Sequence, residues 1–347
     1  MVTLFRKRVV MMKTTDFAKH LTAFFGNYLP GVKNLSGNTI LSYRDAFRLL
    51  LIFFRDIRNI TPEKLCFKMF SNELVCDFLE WLQNERSCSV ATRNQRLVAM
   101  HAFFRYVQVQ EPEQIHLCQL ILQIPCKKYQ QPLIQHLTPE QMKDLLAAPD
   151  THIQSGRRDM TLLSVLYDTG ARVQELCDLR VRDIRLEHPA IISLTGKGRK
   201  TRHVPILGNT VELLQLYMRE NGFLQNGMLD TPLFSNQRHT KLTRGGVSHI
   251  LQKYAAVLSK EHPDMPPALT PHVLRHSKAM HLYQSGVNLV YIRDILGHVD
   301  IATTDIYARA DTESKRKALE SAYPDITPGV LPDWNHDKNL LGFLNSL

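Results

Sequence analysis

Several absences narrow the field before any motif is read. None of the six cysteines (Cys66, Cys76, Cys88, Cys118, Cys126 and Cys177) belongs to a C-x-x-C pair, so zinc-ligand spacing is missing. They read as free thiols that pack like small apolar residues. No stretch approaches the roughly 18 consecutive apolar residues that span a bilayer. The apolar run Val9-Val10-Met11-Met12 is too short for a signal-peptide core, and Lys13 ends it. The expected compartment is the cytoplasm. Neither an internal repeat nor a low-complexity tract is evident.

What is present is a basic chain of 347 residues with net charge +10. At about 150 residues per domain, the length predicts two domains. A hydrophobic share of 44% leaves enough apolar residues for a core in each. A basic surface attracts nucleic acid or an anionic membrane, and charge alone does not choose between them.

The first half reads as helices. Phe17 to Tyr28 is apolar and aromatic at helical spacing. Thr39 to Phe54 carries Ile40, Tyr43, Phe47, Leu50, Leu51 and Phe54 as a one-sided stripe. Thr61-Pro62-Glu63 has the form of an N-cap followed by proline at the first helical position. Asn72 to Leu82 and Ser89 to Val107 complete a helical domain over residues 14–123. Residues 124–137, with two prolines and the pair Lys127-Lys128, predict an extended linker. Those lysines suit a phosphate backbone and a solvated linker equally.

A second domain is predicted over residues 138–323. It opens at Thr138-Pro139-Glu140-Gln141 with capping-box spacing. Helical patterns cover 158–167 and 173–179. The period then changes, and 190–195 and 202–206 are β-like around Gly196-Lys197-Gly198, which predicts a hairpin. Helical patterns resume at 210–221, 243–258, 272–285, 288–296, 302–308 and 312–322. Residues 324–347 form a tail that ends in an apolar segment with Leu340, Leu341, Phe343 and Leu344.

Four segments of this domain carry chemistry. Thr169–Leu176 (TGARVQEL) places Arg172 at a helix opening, with Glu175 one turn on. A guanidinium fork gives bidentate contact to phosphate oxygens, although a surface ion pair with Glu175 would use the same two residues. Thr195–Lys200 (TGKGRK) puts Lys197 on a glycine-flanked turn, where it can reach a leaving-group oxygen or simply face solvent. Thr270–His276 (TPHVLRH) caps a helix and sets His272 and Arg275 three apart in its first turn, where the helix N-terminus also favours an anion. Leu296–Tyr307 (LGHVDIATTDIY) ends one helix at a glycine, follows it with His298 and brings Tyr307 nine residues later. Two guanidiniums, an ammonium, two imidazoles and a phenol are together well suited to holding a phosphodiester and attacking it. There is no acidic metal cluster among them, so the positive charge comes from the protein itself.

In order and approximate spacing, these segments resemble the signatures of the tyrosine recombinase (phage-integrase) family. The likeness covers roughly Thr138 to Ala322, and the helical first domain resembles the family's core-binding domain in size and position. The resemblance implies a mainly α fold with a small antiparallel β-hairpin: a helical core-binding domain and an α+β catalytic domain. It implies that Arg172 and Arg275 clamp phosphate, His272 accepts or relays the nucleophile's proton, and His298 bonds a nonbridging oxygen. Lys197 would be the general acid, Tyr307 the nucleophile, and Glu175 the acidic partner of the first arginine. Neither metal nor cofactor is called for. Two departures stand out: Lys278, where many members carry an apolar or aromatic residue, and Arg309, where histidine is frequent.

The implied activity is site-specific recombination through a 3′-phosphotyrosine and a Holliday junction, in the service of a mobile genetic element. The implied partners are double-stranded DNA sites and three further copies, a homotetramer on DNA that is a monomer or weak oligomer when free and sits with a prokaryotic nucleoid. Arg93, Arg96, Lys127, Lys128, Lys241 and Arg244 are candidate DNA contacts, with solvated helix charge as the plain alternative. Only about a dozen residues precede the first helix, so a simple Xer-like or transposon-encoded type without an arm-binding domain is expected. The apolar tail is expected to insert into a neighbouring protomer. Two other readings remain: a type IB-like topoisomerase, which uses a similar residue set, and a DNA-binding relative without catalysis.

Overall fold

The computed structural model describes residues 14–129, 134–225, 227–260, 262–266, 268–298 and 302–310, apart from the side chains of Lys197, Ala302 and residues 308–310. The expected helix at 312–322 and the apolar tail lie outside these residues. The architecture is mainly helical with one small antiparallel sheet, and the chain divides into two compact units between Gln131 and Pro132.

The first unit contains α1 (Asp16–Ala23), α2 (Gly37–Asp56), α3 (Asn72–Asn84), α4 (Val90–Gln110) and α5 (Ile115–Leu122). Thr15, Ser36, Ser71 and Ser89 start the first four, each side chain accepting from a backbone N–H near the helix opening. The core is aromatic. Phe103 of α4 is its hub, with ring centroids 5.6 Å from Phe17, 5.3 Å from Phe24 and 5.1 Å from Phe47. All three pairs are edge-to-face, the favoured geometry for aromatic quadrupoles.

Two local expectations change. The helix predicted through Tyr28 gives way after Ala23 to a π-helical stretch, Phe24–Val32. Pro30 lies inside it and has no N–H to donate to an i−4 carbonyl. Thr61-Pro62-Glu63 opens only a single 3-10 turn, Pro62–Lys64. Leu65 turns out of that helix into the core, where it is fully buried; tertiary burial overrides the capping signal.

Arg93 requires a correction. Expected to reach DNA from α4, it is 5% exposed and donates to Pro125 O at 3.2 Å and Asn94 Oδ1 at 3.0 Å. Asn94 in turn exchanges two hydrogen bonds with the Lys127 backbone. The opening of the predicted linker is therefore strapped to α4, and Arg93 is one of its fastenings. Arg96 is half-buried and donates to Ser42 O at 3.0 Å. Lys127 and Lys128 are exposed, with Lys127 Nζ donating to Gln83 Oε1.

The second unit runs α6 (Pro139–Ala147), α7 (Gln154–Thr169), α8 (Val173–Asp178), β1 (Ile184–Arg185), β2 (Ile191–Thr195), β3 (Thr201–Pro205), α9 (Gly208–Glu220), α10 (Arg244–Leu258), α11 (Pro271–Gln284), α12 (Leu289–Leu296) and α13 (Ala302–Ala310). The sheet has order β1-β2-β3 and is antiparallel, with Ile191 opposite Pro205 and Thr195 opposite Thr201. β1 spans two residues, too few for an alternating pattern to reveal it. Ile192, Leu194 and Val204 point from the sheet into a core shared with α7, α9, α10 and α11.

Thr138 and Gln141 form the reciprocal capping box that their spacing predicts. The chain enters this unit along α11: Leu137 N donates to Ser277 Oγ at 2.8 Å, and Leu137 O is 2.9 Å from His281 Nε2. Lys278 is accounted for here. Its ammonium pairs with Asp168 at 3.2 Å and lies 5.0 Å from the Tyr167 ring centre, fastening α11 to α7.

The Thr138→Ala variant removes one arm of the capping box. It is expected to destabilise the unit by about 1 kcal/mol, read as a lower midpoint in a denaturant melt with unchanged slope.

Candidate active site

α7 terminates at Gly170, which adopts φ +56°, a left-handed conformation that costs glycine little. Arg172 follows as the N-cap of α8, its backbone N–H donating to Glu175 Oε2 at 2.8 Å. The Arg172 guanidinium donates to Glu175 Oε1 at 2.9 Å and to Gly297 O at 3.1 Å. A second guanidinium shares the carboxylate: Arg202 of β3 donates to Oε1 at 3.0 Å and Oε2 at 2.7 Å, and its Nε donates to Ile295 O at 2.8 Å.

Glu175 is 4% exposed. Burial pushes its pKa up, but the Arg202 hydrogen bonds, the Arg172 N–H and the two positive charges outweigh it and hold the carboxyl at about 2. The β2–β3 turn presses on this group. A Cβ at Gly196 would lie 2.7 Å from Glu175 Oε1, and one at Gly297 would lie 2.9 Å from Arg202. Lys197 follows Gly196 in that turn; its side chain lies outside the described atoms.

Arg172, Arg202, Gly196, Gly297 and His298, with Lys200 and Arg293, line an open cleft of about 400 Å³. Cations dominate it, and its one lining carboxylate, Asp294, is paired to Arg293 at 2.8 Å. Arg275 is not among the lining residues; it is 3% exposed and donates to Gly170 O and Leu296 O at 2.6 Å each. Burial and the neighbouring Arg172 and Arg202 pull its pKa down to about 10, which leaves it charged at neutral pH. Such a cleft can hold a phosphodiester through donors and charge. Among the described residues no group of three or more His, Cys, Asp or Glu side chains is arranged to hold a metal ion.

Tyr307 is fully buried on α13, its ring packed in a cluster with Ala279, Met280, Ile292 and Leu296. Its hydroxyl meets Nδ1 of His276 at 2.9 Å. The imidazole on the phenol is therefore not the expected His272. His272 is exposed, and its ring centre is 6.4 Å from that of His276. His298 makes a second link to α13, with Nδ1 2.9 Å from the fully buried Thr304 Oγ1.

Partial desolvation of its ring, which is otherwise open to solvent, and then the charges of Arg275 and Arg172 lower the pKa of His272. Burial first, reinforced by neighbouring positive groups, takes both His276 and His298 down to about 4. Burial raises the pKa of Tyr307, against the opposing charge of Arg275.

The structure thus gathers Arg172, Glu175, Arg275, His272, His298 and Tyr307 within electrostatic range of one another. Lys241 is paired with Asp178, and Arg244 is exposed at the start of α10. Three participants escaped sequence reasoning. His276 had a signal, since it lies one helical turn from His272 on the same face. Arg202 and Thr304 had none, because their partners are distant or lie across a loop.

The chain matches the Phage integrase family over residues 135–314, and the N-terminal SAM-like domain of phage integrases over residues 23–111. It is 37% identical over 338 residues to a Sinorhizobium fredii protein named as an integrase/recombinase, y4rC, covering 97% of this chain and 100% of that one. It is 31% identical over 307 residues to the tyrosine recombinase XerC of Pelotomaculum thermopropionicum, covering 86% and 95%. Among solved structures, the XerH site-specific recombinase bound to difH substrate, a pre-cleavage complex, aligns with TM-score 0.61 at 26% identity, covering 81% and 78%.

The site predicts a two-stage loss of stability in acid. His276 and His298 stay neutral when folded down to about pH 4 but take up a proton near 6.5 when unfolded. Between those values the unfolded state binds more protons, so stability falls with pH. Glu175 extends the loss, since its contribution is complete above 4.5 and disappears as pH falls towards about 2. Thermal melts from pH 8 to 3 should show a flat Tm above about 7 and a continuous fall below about 6.5; a Tm unchanged down to pH 4 would contradict the assignment of both histidines.

Proposed function

The chain belongs to the phage integrase family, the tyrosine recombinases, enzymes that cut and rejoin DNA strands, and we propose that it does so with Tyr307 as nucleophile. The observation that carries this reading is that Arg172 and His298 line one cationic cleft, while the buried Arg275 lies within electrostatic range of both Arg172 and the buried phenol.

In the proposed reaction the Tyr307 oxygen attacks the scissile phosphorus. A 3′-phosphotyrosine forms and a 5′-hydroxyl leaves, protonated by Lys197. One phosphodiester replaces another, so no ATP is needed, and the 5′-hydroxyl of a partner strand reverses the step. The pentavalent transition state gathers negative charge on its equatorial oxygens, where Arg172, Arg275, His272 and His298 supply donors. Glu175 and Arg202 hold the first of those arginines in place. Because Tyr307 is fully buried, DNA entry has to open the packing around its hydroxyl before attack.

Two successive exchanges between sites pass through a Holliday junction, made by a tetramer on paired duplexes. Arg96, Lys127 and Lys128 of the first unit and Arg244 of the second are the proposed phosphate contacts, which position without specifying sequence. Work for a mobile genetic element inside a bacterial cytoplasm is supported by the integrase names among the relatives. Among the described residues no helix is long and apolar enough to cross a membrane.

A nicked suicide duplex built from the native element ends tests the proposal. Wild type should trap a covalent protein–DNA adduct, Tyr307→Phe should trap none, and Arg172→Ala should slow trapping by about 10²–10³-fold. An adduct surviving in Tyr307→Phe refutes the nucleophile. Relaxation of supercoiled DNA without exchange between sites would instead identify a type IB-like topoisomerase.

A further inference from the structure

We propose that His276, rather than His272, is the base that takes the proton from Tyr307 as the phenol oxygen attacks phosphorus. The inference rests on the reading of Tyr307 as nucleophile. Its carrying observation is direct contact: Nδ1 of His276 lies 2.9 Å from the hydroxyl that would react, with ring centres 5.8 Å apart. A general base must stand within hydrogen-bond reach of the proton it removes.

The phenol has no access to water, so its hydroxyl depends on a protein partner. A phenol is the stronger donor of the two neutral groups. With its own proton on Nε2, the imidazole therefore presents Nδ1 as the acceptor. The step then balances. The Tyr307 oxygen–phosphorus bond forms, the phosphorus–5′-oxygen bond breaks, the phenol proton passes to Nδ1, and the leaving 5′-oxygen takes a proton from a different group, the Lys197 ammonium.

The surroundings keep this base unprotonated and ready. His272 and Arg275 face it from its own helix, His136 from the segment before α6, and Tyr307 and His298 from the α13 side. Burial and these largely positive neighbours disfavour the imidazolium. An incoming phosphodiester changes that balance. Its negative charge offsets Arg275 and favours the imidazolium when the proton has to move. The base thus strengthens only once substrate is in place, and concerted transfer avoids a free phenolate in an apolar cluster. The exposed His272 is left as a donor to a phosphate oxygen.

The test is the pH dependence of adduct formation on the same nicked suicide duplex, with equal duplex binding and far-ultraviolet circular dichroism as controls for folding. Wild type should react at a rate flat from about pH 7 to 9. His276→Asn keeps an acceptor but is no base. It should be about 10²–10⁴-fold slower at pH 7 and gain about tenfold per pH unit, as ionised phenol replaces base catalysis. His276→Ala should recover part of the rate with added imidazole. His272→Asn should slow the reaction by the same factor at every pH.

The proposal is overturned if His276→Asn keeps the wild-type rate, slows equally at all pH values without imidazole rescue, or reacts faster, which would make the contact a restraint on the tyrosine. It is also overturned if the pH slope belongs to His272→Asn. Tyr307→Phe, run alongside, separates the two failures: an adduct in that variant sinks the nucleophile itself, whereas its absence with a pH-independent His276→Asn sinks only the base.

Discussion

The second unit depends on one buried carboxylate. Glu175 has two oxygens, and four donors converge on them: the Arg172 backbone N–H, the Arg172 guanidinium and both terminal nitrogens of Arg202. A charge this deep is tolerable only when fully paired. The arrangement satisfies that condition and orders three parts of the chain in doing so. Arg172 belongs to the opening of α8, Arg202 to the hairpin strand that leads from Lys197, and Arg202 Nε also holds the end of α12, just before His298. Removing Glu175 would leave two guanidiniums without their shared acceptor, so this one carboxylate ties the hairpin, the helix opening and, through Arg202, the histidine loop together.

The remaining positive charge is what the site offers to an anion. Arg172 and Arg275 donate to the backbone carbonyls of Gly297, Gly170 and Leu296, so their positions are set before any phosphate arrives. Preorganised donors of this kind cost little reorganisation at the moment of reaction. The imidazoles have the opposite character. Burial and nearby cations keep them neutral, and they join α13 to the body through one hydrogen bond to Tyr307 and one to Thr304. Acid should loosen that seam first, because it charges groups the fold holds neutral.

Much of this was legible in the residues. The capping box at Thr138, the Thr270-Pro271 start of α11, the glycine stops and the change of period around Gly196 are local signals, and local hydrogen bonding enforces each of them. The failures share a cause as well. Arg93 looked like a surface charge because helical periodicity says nothing of a segment 32 residues on that returns to cover it. Thr61-Pro62-Glu63 carries a genuine helix start, but Leu65 is drawn into the core instead. β1 is defined only by its pairing with β2.

By itself the sequence determined which chemistry is available: the order of Arg172, Lys197, His272, Arg275, His298 and Tyr307, and their placement on helix openings, a turn and a glycine-ended loop. Those features follow from short-range backbone geometry and side-chain type. Only the tertiary structure decided who touches whom. It placed Arg202 against Glu175 across 27 residues and His276 against Tyr307 across 31. Contacts at that separation arise from packing one helix or strand on another, and no local pattern encodes which face will meet which.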